Sequence, residues 1–183
     1  MNQIQLVQVL KSLFPSAMQN KDYEVAVDQS DNATIALWNP ALGTAPTADQ
    51  LTAALNTLLL AQAKAAQMAA VAAASVAAQT SGFSSSALGS AYSYPSGTQD
   101  QANLTALVTA SMIPGNPSGW TCLFWCTSGA GVSNFVAHTA AQIQKVGQDA
   151  LTAIMAAKQK QLTLTMEIEA ATSVAAVQAI VWS

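Results

Sequence analysis

Arginine is absent from these 183 residues and other charge is sparse, six lysines and nine acids making up 8% of the chain, against about 25% in ordinary soluble domains. Without a guanidinium there is no bidentate fork for a phosphate or a guanine edge, so nucleic acid is not an expected partner. A free monomer usually keeps itself dispersed with more charge than this. The expectation is therefore a subunit whose outer surface is largely covered in its working state, oligomeric or embedded in an assembly. Neither a Gly-x-x-x-x-Gly-Lys nor a Gly-x-Gly-x-x-Gly cradle occurs, which leaves nucleotide use without support. Residues 1–10 show no basic stretch followed by an apolar run and a small-residue cleavage site, so the chain is expected to stay in the cytoplasm in which it is made. Nor is a membrane span expected. The longest apolar run, residues 65–78, is mostly alanine, contains Gln67 and Ser75, and falls short of roughly 20 strongly apolar residues.

Side chains able to do chemistry are equally scarce. His138 is the only histidine and the one group whose ordinary pKa lies near neutrality. No serine sits in a Gly-x-Ser-x-Gly elbow and no acid adjoins His138 in sequence. It is read as a histidine near a helix start, bonded to backbone; a hydrolase pairing it with a distant serine is the enzymatic alternative. Cys122 and Cys126 would share one face of a strand about 13 Å apart, too far for a disulfide, and are expected reduced and buried. With His138 they would give zinc at most three ligands at an unusual spacing. Asp22, Glu24, Asp28 and Asp31 cluster near a turn but lack the spacing and the glycine of a calcium loop. No catalytic residue, cofactor or metal is expected.

What is present is an apolar half, enough for one ordinary domain or two small ones. Ile4, Leu6, Val7, Leu10, Leu13 and Phe14 recur every three or four residues, one face of a short helix stopping before Pro15. Two β-type runs, 23–27 and 34–38, flank the turn-forming 28–32. Residues 1–46 thus read as a small helix-plus-hairpin domain. Thr47 with Gln50 has the reciprocal capping spacing, and Leu51, Leu55, Leu58, Gln62, Ala65, Ala69, Ala72 and Val76 form a stripe along a helix of roughly 30 residues, 47–81. Its alanine reflects either plain helix propensity or a close-approach seam, internal or between subunits.

Residues 82–97 turn to serine, glycine and tyrosine and read as a linker or ordered loop. A second domain, 98–183, follows. Thr98 with Gln101 offers a cap for a short helix ending near Pro114. The run 120–126 and its return 132–137 make a second hairpin around Ser128-Gly129-Ala130-Gly131. Thr139 with Gln142 caps another long helix, striped by Ile143, Gly147, Ala150, Ile154, Ala157, Leu164 and Ile168 and broken at Thr172-Ser173 before a short helix to Trp182. The fold class expected is α+β, mainly α, with long alanine-rich helices and two small β-hairpins, each half running short helix, hairpin, long helix. Trp120, Phe124 and Trp125 put bulk on both faces of one strand, which either fills a core or presents one face to a partner. With Leu51, Leu55 and Leu58 they are the candidate partner interface.

Several strings carry a resemblance. Leu13-Phe14-Pro15-Ser16-Ala17, Lys21-Asp22-Tyr23-Glu24-Val25 and Ile35-Ala36-Leu37-Trp38-Asn39 resemble the small N-terminal domain of baseplate and tail-fibre-associated proteins of contractile-tailed phages and defective prophages. Tyr94-Pro95-Ser96, Gln99-Asp100-Gln101-Ala102-Asn103-Leu104, residues 120–125, His138-Thr139-Ala140-Ala141-Gln142 and Val146-Gly147 look like an uncharacterised domain common in phage tail-fibre operons. The second hairpin departs from that pattern, with Ser128-Gly129-Ala130-Gly131 where an acidic Asp-Gly turn belongs, and the alanine helix is unlike either part. The resemblance implies a non-enzymatic component of the phage tail, at the baseplate or fibre attachment, with fibre or baseplate proteins as partners and the virion tail as its place after assembly in the host cytoplasm. A tail-fibre assembly chaperone absent from the finished virion is the alternative.

Overall fold

Helix α1 (Gln3–Leu13) starts where Asn2 accepts the Gln5 N–H at 2.9 Å and Gln5 accepts the Asn2 N–H at 3.1 Å, so two donors without helical partners are satisfied together. The computed structural model, which describes all of residues 1–183, divides into two compact units, Met1–Gln67 with Ala171–Ala179 and Met68–Ala170 with Ile180–Ser183.

In the first unit α1 buries Leu6, Val9 and Leu10, while Ile4, on the expected apolar face, points to solvent. Strands β1 (Tyr23–Val27) and β2 (Ala33–Trp38) pair antiparallel with a bulge between Glu24 and Val25. Tyr23 closes a core with Leu6 and Leu10, and Val25, Ile35, Trp38 and Leu51 pack around it. Phe14 meets Trp38 edge-on at 4.9 Å between ring centres. Asp28 holds the turn, its carboxylate accepting the N–H of Asn32, the Asn32 side-chain amide and the N–H of Ser30; these bonds, in that order, lower its pKa. Helix α2 (Ala48–Thr80) opens on the expected Thr47–Gln50 exchange, and the short helix α5 (Val174–Ala179) completes the unit.

The second unit is built on one antiparallel sheet, β3 (Phe83–Ser85), β4 (Tyr92–Tyr94), β5 (Thr121–Ser128) and β6 (Ser133–Thr139), in that spatial order. Residues 82–97, expected as a linker or loop, thus contribute two strands. Tyr92 and Tyr94 alternate with the exposed Ser93, a period of two that the Ser/Gly/Pro composition masks. Helices α3 (Thr98–Ser111) and α4 (Ala140–Ala170) adjoin the sheet. The Thr139–Gln142 exchange caps α4 as expected. Thr98 does not cap α3: Gly97 is the cap residue, its N–H bonded to the Asp100 carboxylate at 3.1 Å, and Gln101 instead donates to the carbonyls of Gln79 and Ser96.

The stripe expected along α2 is rotated in its distal half. Val71 and Ser75 are buried whereas Val76 is exposed, and the Ser75 hydroxyl lies 3.5 Å from the Ala157 carbonyl of α4. An alanine tract is almost equally apolar all round, so periodicity cannot fix which side is covered. Packing decides it, and at this point the seam is internal to the chain.

Candidate functional site

Strand β5 sorts its residues by alternation. Cys122, Phe124 and Cys126 point inward, where Phe124 and Cys126 join Tyr94, Leu104, Ile143, Val146 and Ala150 in the core. Leu123, Trp125 and Thr127 point out, opposite Ala137, Phe135 and Ser133 of β6. The outer face is strongly apolar: Leu123 is 63%, Phe135 59% and Trp125 40% exposed, and the last two rings meet edge-on at 5.1 Å. The aromatic trio proposed as one interface therefore separates. Trp125 lies on the open face and Trp120 is half-buried against the core. Phe124, 5% exposed and stacked on Tyr94 at 6.0 Å, is core and corrects the expectation of a partner contact there. Leu51, Leu55 and Leu58 are half-buried on α2.

His138 is fully buried on β6. Its Nδ1 lies 2.8 Å from the Val136 carbonyl, which can only accept, so the proton sits on Nδ1; Nε2, 2.9 Å from the Tyr94 hydroxyl, accepts from it. Burial lowers the histidine pKa against the opposing pull of the Val136 carbonyl, and burial also raises those of Tyr94, Cys126 and Cys122. The backbone bond fits the sequence reading. The tyrosine partner, 44 residues away, had no local signal. Both ring nitrogens are engaged out of solvent, tying β6 to β4 within the core. The cysteines are free thiols.

Asp22 and Asp149 serve local structure. Asp22 accepts the Met18 N–H and the Asn39 amide, which lower its pKa. Asp149, pushed up by burial but held below its ordinary value by Lys145 and the Ser85 hydroxyl, ties β3 to α4. No three His, Cys, Asp or Glu side chains converge to hold a metal. Between α3 and α4 runs an open groove of about 450 Å³, its lining mostly apolar and including Leu104, Val108 and Ile154 together with Gln101, Gln144 and Gln148. Its walls approach at Gly147, where an added Cβ would lie 2.8 Å from a Val108 methyl.

Fold and site together describe a mainly helical α+β protein with exposed apolar side chains on the second sheet. Residues 62–181 match the family described as Domain of unknown function (DUF4376), and the chain belongs to that family. Residues 6–63 match the family described as XkdW protein. The two together point to a bacteriophage-associated protein. The first match begins inside α2, so the alanine tract that resembled neither part on sequence is included in it. No curated protein and no solved structure matches the chain.

Proposed function

We propose that the chain is a non-enzymatic component of the phage tail, acting at the baseplate or the fibre attachment region. The observation that carries this is the outer face of the second sheet, where Leu123, Trp125 and Phe135 lie open together on a chain carrying little charge. An apolar patch rimmed by polar groups is the form of a protein interface. The partners are fibre or baseplate proteins, met through Trp125 beside Leu123 and Phe135, and through the half-buried Leu55 and Leu58. Its place is the virion tail, after assembly in the host cytoplasm. Antibody to the chain should mark the tail end of intact particles in the electron microscope; particles labelled for a neighbouring baseplate protein but never for this chain count against the proposal.

The groove between α3 and α4 favours a second reading, a fibre assembly chaperone that departs before maturation. An open, mostly apolar groove with glutamines in its lining suits a segment held briefly. A fibre that folds to its soluble trimer when expressed without this chain removes that reading. Helix α2 is long and apolar enough to cross a membrane by length and composition alone. Its alanine content, its Lys64 and the burial of Val71 and Ser75 in the second unit support a helix packed on protein.

A further inference from the structure

Strand β6 is an edge of the second sheet, with no strand on its far side. The Ser128 N–H to Val132 carbonyl bond of 2.9 Å sets the alternation of the ladder, so Asn134, Val136 and His138 turn their backbone groups toward β5, and Ser133, Phe135, Ala137 and Thr139 turn theirs away. Two bonds agree with this. The Phe135 N–H is taken by its neighbour's side chain, Asn134 Oδ1, at 2.8 Å, and the Thr139 N–H by Gln142. Edge strands of this length are normally protected by a lysine, a proline, a bulge or a covering element. The run Ser133-Asn134-Phe135-Val136-Ala137-His138-Thr139 contains neither charge nor proline, pairs with β5 without a register shift, and exposes Ser133, Phe135, Ala137 and Thr139.

We propose that β6 pairs antiparallel with β6 of a second copy of this chain about a two-fold axis midway between Val136 and the partner's Val136, joining two four-stranded sheets into one of eight. The strand is complementary to its own image. Phe135 falls opposite the partner's Ala137, so a large ring meets a methyl group, and Ser133 falls opposite the partner's Thr139. With no charge on the strand, the two-fold brings no like charges together. This register also joins backbone groups that face outward in each copy, so the Phe135–Ala137 pairs can exchange both hydrogen bonds on either side of the axis once the Asn134 amide swings aside. The seam is one strand of seven residues, Ser133–Thr139, so the dimer forms with concentration rather than permanently. Self-pairing needs only this free edge and does not depend on where in the phage the chain acts.

Sedimentation equilibrium of the full chain over a concentration series tests it. The wild type should pass from monomer to dimer. Ala137→Pro removes an outward N–H at a place where an edge strand tolerates proline, and should shift the association constant at least tenfold toward monomer. A charge pair checks the register: Phe135→Lys with Ala137→Lys should be monomeric, and Phe135→Lys with Ala137→Glu should regain the dimer. A wild type that stays monomeric at millimolar concentration overturns the proposal and leaves the edge to a different protein. A folded Ala137→Pro variant that dimerises like the wild type, or two charge variants that behave alike, overturns it as well.

Discussion

Replacing Tyr94 by phenylalanine tests the reading of the buried histidine, because it removes one oxygen and little else. The ring keeps its stacking on Phe83 at 5.5 Å and on Phe124 at 6.0 Å, so no cavity opens. What is lost is the donor to His138 Nε2, 2.9 Å away. That nitrogen then remains a fully buried acceptor with no partner, since the ring proton is held on Nδ1 by the Val136 carbonyl. Leaving a buried polar atom unsatisfied costs about 1–3 kcal/mol. For a chain of this size that lowers Tm by roughly 2–4 °C per kcal/mol, which calorimetry resolves. Replacing both Tyr94 and His138 by phenylalanine should cost less than the sum of the single changes, since an apolar pair leaves nothing unsatisfied. A Tyr94→Phe variant within about 0.5 kcal/mol of wild type, the usual range for an inconsequential substitution, would refute the assigned tautomer and the bond that depends on it.

Other changes follow the same physics. Gly147→Ala gains helix propensity of about 1 kcal/mol but drives a methyl into Val108, 2.8 Å from its place; overpacking costs about 1–3 kcal/mol, so urea unfolding should show a net loss, and a more stable variant contradicts the close approach. Thr139→Ala removes the α4 cap and should cost about 1 kcal/mol, measured the same way. Burial holds the folded His138 pKa below its unfolded value, near 6.5. The unfolded chain therefore binds more protons as pH falls, and stability, complete above that value, should decline between pH 7.5 and 5.5; a rise would contradict the sign. In vesicle flotation the chain should remain with the soluble fraction, and flotation dependent on α2 would overturn the reading of that helix as packed on protein.

The parts of this fold legible in sequence are those decided within a few residues. Thr47 with Gln50 and Thr139 with Gln142 close their exchanges inside one helical turn, and β1 and β2 flank a turn fixed by the adjacent Asp28. The same spacing misled at Thr98, because Gly97 with Asp100 makes the cap and Gln101 bonds to carbonyls brought near by the tertiary fold. Alternation along 120–126 shows that this strand has two bulky faces but not which one is covered. That depends on the core surrounding Phe124 and Cys126, which includes Leu104 of α3 and Ile143, Val146 and Ala150 of α4. Of the residues proposed for an interface, Trp125 keeps an open face whereas Phe124 does not. The free edge of β6 was equally out of reach, since it exists only once the spatial order of the strands is known.

The most direct test of a place in the phage tail is quantitative mass spectrometry of gradient-purified particles. Peptides of this chain should appear in fixed ratio to baseplate or fibre proteins through successive purifications. Particles in which the scarcest baseplate proteins are detected while this chain is repeatedly missing would contradict it.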